Sequence, residues 1–234
     1  MSDTTLTYLD AYCERAGDPA FWAEPLNAIS NLAFIVAAFI TCRFLLKQRV
    51  SLTKTTIDIW LLVAVLASIG LGSGLWHTHA THWSMLADII PIYIFINVYI
   101  FSLFIRLFGL KWYAAFLGWA IFQGINIGFE LVAPRDTLNG SIMYIPTYGL
   151  LLFSLGWMLA IRHTACLKFA HIIALFTISI AFRTIDISVC EDIPVGTHFL
   201  WHLLNAIVLY RLILLLVPSV NARHLNKNTS PAQS

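Results

Sequence analysis

The chain has 234 residues, 59% of them hydrophobic and only 11% charged, with a formal net charge of +2 and a mean hydropathy of +0.78. Soluble domains carry about 25% charged residues, so this chain lacks the polar groups to cover a water-facing surface. A typical soluble domain is excluded, and lipid is the expected solvent.

Residues 1–24 are polar and acidic, where a secretory signal would be basic and then apolar. They form the first expected unit, an acidic segment outside the membrane. Between residues 25 and 217, seven stretches reach the ~20 apolar residues that span a bilayer: 25–46, 57–76, 85–108, 112–132, 141–161, 167–187 and 198–217. The expected fold is an all-α integral membrane bundle of seven transmembrane helices. Residues 218–234, with their Asn, Lys, Ser and Pro, are expected to form a disordered tail.

Lys and Arg are retained on the cytoplasmic side of short loops. With seven spans, only Arg15, Arg135 and Arg183 of the 14 Lys and Arg residues fall on one face, leaving 11 on the other. The expected orientation is N-terminus outside and C-terminus cytoplasmic. Acidic residues show the opposite bias, all but Asp58 falling toward the outer face.

Unusual polar residues gather near that outer face. The second span ends in "GSGLWHTHATHWSMLAD", Gly72 to Asp88, and His77 lies 20 residues past Ile57. At 1.5 Å per residue that is about 30 Å, the thickness of the hydrocarbon layer. Ser73 sits one turn deeper on the same face, and the third span carries Asp88 back into the apolar layer. The seventh span opens with "THFLWHLL", placing His198 and His202 at i and i+4 on one face.

These residues share a depth, and chemistry gives a reason for them to converge. An Asp at the centre of a spanning helix costs about 2.5–3.5 kcal/mol on insertion scales, so it normally faces the bundle interior and finds a partner. Three neutral imidazoles can hold one zinc and leave a fourth position for water, the pattern of catalytic zinc. Asp88 is then placed to take a proton from that water, and Ser73 to donate to a developing oxyanion.

A lone interfacial histidine is more often solvated than ligating. That is the reading for His79 and His82, expected in the outer loop, for His163 and His224 on the cytoplasmic side, and for His171. Gln123, Asn126 and Glu130 form a polar stripe on the fourth span that reads as helix-packing glue. Asn205, one turn below His202, is a candidate to orient that ring. Asp186 either pairs with Arg183 or supports the histidines, and both readings stay open. Cys42 and Cys166 fall near the cytoplasmic side, Cys13 and Cys190 on the outer face, where a disulfide persists.

Three blocks together resemble the alkaline ceramidase family, within the wider group of seven-helix membrane hydrolases and adiponectin-receptor-like proteins. They are "YCERAGDPAFWAEPLNAISNLAF" (Tyr12–Phe34), "GLGSGLWHTHATHWSMLADIIP" (Gly70–Pro91) and "RTIDISVCEDIPVGTHFLWHLL" (Arg183–Leu204). The resemblance implies a zinc held by His77, His198 and His202, with Asp88 as general base and Ser73 steadying the tetrahedral intermediate. It implies hydrolysis of a ceramide-like lipid amide to a fatty acid and a long-chain amine, the lipid entering laterally from the membrane. It also implies a calcium ion outside the first span, with Asp10, Glu14 and Glu24 as matching ligands. The spacing from Asp10 to Glu14 is one residue longer than the family pattern, and Ala16 stands where an amide ligand is expected, leaving Asp18 as a substitute. Cys13 and Cys190 lie in the first and third blocks, and a bond between them is expected.

Two functional classes follow. The first is a zinc-dependent amidase working at the non-cytoplasmic leaflet of a bacterial inner membrane or an organelle, with no nucleic acid and no obligatory protein partner. The second is a lipid receptor of the adiponectin-receptor type that uses the same metal structurally. A proton or ion transporter is disfavoured, because the inner halves of the spans are nearly free of ionisable residues.

Overall fold

A computed structural model of the chain describes residue 9, residues 11–134 and residues 137–229, with residues 218–229 described by their backbone alone. Among the described residues the α-helices are α1 (Pro25–Ser30), α2 (Leu32–Lys47), α3 (Ile57–His79), α4 (His82–Arg106), α5 (Trp112–Val132), α6 (Ile145–Ala160), α7 (Cys166–Ile185) and α8 (His198–Thr229), with no strand. Seven helical spans are long and apolar enough to cross a membrane: Pro25–Lys47, Ile57–His79, His82–Arg106, Trp112–Val132, Ser141–Ala160, Cys166–Ile185 and His198–Val217. Without water, each backbone N–H and C=O must bond within its own segment, which is why these apolar runs become helices. The chain is an all-α bundle of seven membrane-suited spans.

The structure departs from the sequence reading at several ends. The first span is two helices meeting at Asn31, whose side chain bonds back to the Asn27 carbonyl at 2.8 Å. The turn before α4 is only Ala80 and Thr81, so His79 and His82 are the last residue of α3 and the first of α4, and neither is in a loop. Ala80 takes the left-handed conformation (φ 48°), and Thr81 and Ser84 form a reciprocal cap that starts α4 at once. The sixth span stops at Ile185, followed by a 3-10 turn at Ile187–Val189. The last helix runs on to Thr229, through residues expected to be disordered from 218. Beyond Pro218 that stretch holds Ala222, Arg223, Leu225 and Lys227, all good helix formers. Arg135, used for the orientation, lies outside the described residues.

α3 and α8 form the centre. In their most apolar windows 56% of residues are buried, against 11% for α5, which packs at the edge. Phe34, Leu62, Leu66, Ile69, Phe95, Phe169 and Ile213 belong to the core, whereas Phe39, Leu117 and Phe153 project outward where lipid would lie. Lipid tails are as apolar as leucine, so helix association depends on close packing and interhelical hydrogen bonds, the latter averaging about 0.6 kcal/mol each.

The α3–α4 pair uses both. A Cβ placed on Gly72 would stand 1.9 Å from the Ala87 carbonyl oxygen, so only glycine permits this approach. At the opposite end Asp58 pairs with Arg106 through both guanidinium nitrogens Nε (2.7 Å) and Nη2, and accepts from Ser102 Oγ at 2.7 Å. That pairing accounts for the acidic residue that stood apart from the outer-face bias. On α5, Gln123 Nε2 donates to Tyr93 Oη of α4 at 2.6 Å, the packing role expected of that stripe.

Candidate metal centre

α3 brings His77 to its last turn, while α8 opens on His198 and places His202 one turn on. All three rings are buried, at 1%, 2% and 2% exposure. Their candidate donor atoms lie within 4.8 Å of one another. Ring centroids are 5.2 Å apart for His77–His198, 4.8 Å for His77–His202 and 4.6 Å for His198–His202.

Neighbours fix two of the rings from behind. Glu24 Oε2 meets His77 Nδ1 at 2.5 Å, leaving His77 Nε2 buried with no protein partner. Ser30 Oγ meets His202 Nδ1 at 2.7 Å. His198 stacks on Tyr12 with centroids 3.8 Å apart, and its Nδ1 has no partner. Its backbone N–H donates to Asp186 Oδ1 at 2.9 Å, as does that of Thr197 at 2.6 Å. Asp186 thus caps the N-terminus of α8 with a carboxylate, where the helix dipole favours negative charge. Its other oxygen accepts from Cys13 N at 3.1 Å. Asp186 supports the histidines and does not pair with Arg183, which resolves the alternatives left open above.

A buried imidazole nitrogen without a partner costs free energy unless something occupies it. Ligating histidines characteristically give their other nitrogen to a carboxylate or hydroxyl that orients the ring. The unpartnered His77 Nε2 and the Glu24 and Ser30 contacts fit that pattern, and the donor set fits a metal ion. It is the only such cluster of three among the described residues.

His198, His202, Asp88 and Ser73 line a cavity of about 810 Å³, shared with Tyr12, Trp76, Tyr144, Arg183 and Trp201. Ser73 and Asp88 meet because each follows a residue of the Gly72–Ala87 approach. Ser73 stands beside the Asp88 carboxyl group on the cavity wall, and Asp88 Oδ1 remains buried without a partner. Burial, foremost, pushes the Tyr12 phenol up to about 12 against the nearby Arg183 charge, so Tyr12 forms a neutral wall of the cavity.

Of the expected calcium ligands, Glu14 and Glu24 are each engaged by protein groups. Asp10 lies outside the described residues. Glu14 accepts from the backbone N–H groups of Leu26 and Asn27 at 2.7 and 2.8 Å, capping α1. Asp18 accepts from Ala20 N at 2.8 Å. Glu24 already has its cation: Arg15 Nε donates to Oε1 at 2.5 Å, and Asn27 Nδ2 donates to Oε2 at 3.0 Å. Burial opposes ionisation of Glu24, yet His77, Arg15 and Asn27 outweigh it and hold its carboxyl below the ordinary range. The acidic residues were counted along the sequence without Arg15, whose buried guanidinium also donates to the Ala20 and His77 carbonyls at 3.1 and 2.9 Å.

Cys13 and Cys190 form a disulfide with Cα atoms 5.3 Å apart, tying the N-terminal segment to the loop before α8. Asn205 does not hold His202. It lines the cavity, and its Oδ1 has no partner. Sequence reasoning missed Arg15, Ser30 and Tyr12 as parts of the site. The signal for Ser30 was present: Glu24, Asn27 and Ser30 recur every three residues at the head of an apolar span. No protein-family model matches the chain, and no curated protein is recovered as similar to it.

Proposed function

We propose that this protein is a zinc-dependent amidase of ceramide-like membrane lipids, of the alkaline ceramidase kind. The observation that carries the reading is the buried triad His77, His198 and His202, two of its rings oriented from behind, with His198 and His202 on the wall of a cavity that also holds Asp88.

A zinc bound by three imidazoles supplies a Lewis acid for a carbonyl oxygen and acidifies a water. Asp88 takes a proton from the attacking water as its oxygen bonds to the amide carbon. The Ser73 hydroxyl, beside Asp88 on the cavity wall, donates to the developing oxyanion. The C–N bond breaks as Asp88 returns the proton to the departing nitrogen, giving a fatty acid and an amine. Helices α3, α4 and α8 hold the reacting groups, so geometry is kept by rigid elements.

The charge bias of the loops supports an outer-leaflet site with the N-terminus outside, reached laterally by a lipid. A receptor that used the metal structurally would need no buried carboxylate beside it, and Asp88 favours the enzyme. Elemental analysis of detergent-purified protein tests the reading: about one zinc per chain is expected, lost in His198→Ala/His202→Ala. Protein purified without chelators and still free of zinc would sink it.

A further inference from the structure

Arg183 lies in the last turn of α7, on the wall of the same cavity as Asp88, His198 and His202. Among the described residues, Asp88 and Arg183 are the only carboxyl and guanidinium groups on that wall, and no ion pair joins them. Arg183 Nη1 donates to the Asn139 carbonyl and, at 3.2 Å, to Ser141 Oγ. Its face rests on Tyr144 and Trp201, with the guanidinium carbon 5.7 and 6.0 Å from their centroids. Of the five N–H donors of a guanidinium, those on Nε and Nη2 have no partner among the described residues. Arg183 is half-buried and those two nitrogens are not enclosed by protein, so they stay open to a ligand while the two aromatic faces hold the guanidinium plane.

A narrow apolar slot of about 50 Å³ adjoins the cavity, sharing Ile69, Ile92, Tyr144 and Asn205 with it. It continues past Phe95, Tyr99 and Leu103 of α4 and Leu209 and Leu212 of α8, away from the end that bears Arg183. The slot has room for only a few methylenes, and its apolar lining marks the side from which an acyl chain would reach the histidines. With the scissile amide at the histidines, the rest of the lipid projects toward Arg183.

We propose that the substrate of this site is an anionic lipid amide, with a carboxylate or phosphate on its amine side that binds the free edge of Arg183. The proposal rests on the amidase reading for its chemistry and on Arg183 for its selectivity. Two free N–H groups aimed at an oxyanion make charge-assisted bonds that a hydroxyl head group cannot match.

The test compares three lipids with one acyl chain: N-palmitoylglycine, N-palmitoylethanolamine phosphate and N-palmitoylethanolamine. Binding to zinc-loaded protein is read from intrinsic tryptophan fluorescence, and turnover is measured separately. Both anionic lipids should bind at least about tenfold tighter than the alcohol, as a net charge-assisted bond of about 1.5 kcal/mol or more requires. Arg183→Gln should abolish that preference with alcohol binding unchanged, and Arg183→Lys should restore part of it. Equal binding of all three lipids by wild-type protein, or a preference that survives in Arg183→Gln, overturns the proposal. Displacement of the anionic lipids by equimolar inorganic phosphate would also overturn it, since the site would then read a free anion. Selective binding without hydrolysis of any lipid would sink the amidase reading and leave the head-group assignment standing.

Discussion

Arg15 and Glu24 form a buried ion pair at 2.5 Å, and the other oxygen of that carboxylate meets His77 Nδ1 at the same distance. One guanidinium in the N-terminal turn therefore sets the aim of a candidate metal ligand on α3. Arg15→Met leaves Glu24 buried without its cation, which costs about 3–5 kcal/mol when one partner of a buried pair is removed. Zinc affinity should fall about 10–100-fold, the usual effect of losing a group that orients a ligand, as measured by chelator competition. Since Arg15 already neutralises Glu24, a calcium-selective chelator should leave activity and unfolding temperature unchanged. A loss of either on calcium removal would refute that assignment.

Among the described residues, Asp88 is the sole acid lining the cavity beside the histidines. Asp88→Asn keeps the shape and the Ser73 contact but removes the base. Turnover should drop about 10²–10⁴-fold, the range for general acid–base catalysis, with zinc content unchanged by elemental analysis. Retained turnover would place the base elsewhere.

Glu14 titrates against its own fold. Burial, the largest influence, raises its carboxyl above the ordinary 4.5, although the N–H groups of Asn27 and Leu26 pull the other way. A raised acid binds its proton more tightly when folded, so its stabilising share is complete below pH 4.5 and is lost as pH rises through the folded value. The unfolding temperature of Glu14→Gln relative to wild type should therefore increase from pH 4 to pH 7. A flat difference would show that burial does not govern this group.

Gly196 has φ +63°, and a Cβ there would stand 2.1 Å from Asp186 Oδ1. Gly196→Ala should cost about 1–3 kcal/mol from the backbone alone, and the clash would displace the carboxylate that caps α8 at His198. Both a lower unfolding temperature and weaker zinc binding are expected. Loss of stability with zinc affinity intact would separate the cap from the ligand.

The seven spans were legible because lipid imposes a simple rule, about 20 apolar residues per crossing, and all seven expected starts fall within three residues of the observed ones or on them. The fifth span opens at Ser141 with a 3-10 turn, and its α-helix starts at Ile145. Shared depth pointed to His77, Asp88, His198 and His202, since rise per residue is fixed in a helix. Partners across the bundle were not legible in the same way. Which residue holds His202 depends on helix rotation, and the observed one is Ser30 on α1, not Asn205 on its own helix. Arg15 was invisible as a strut because the N-terminal segment has no periodicity to place it. The break at Asn31 had no breaker residue to announce it.

The triad has one member on α3 and two on α8, the last span. During synthesis, a chain halted anywhere before α8 holds a single imidazole of the set and cannot retain the ion. The Cys13–Cys190 bond waits on the same late segment, since its partners are 177 residues apart. On the amidase reading proposed above, metal capture would thus be a certificate of completed insertion, and a truncated or half-threaded chain would lack two of the three histidines needed for a hydrolytic centre.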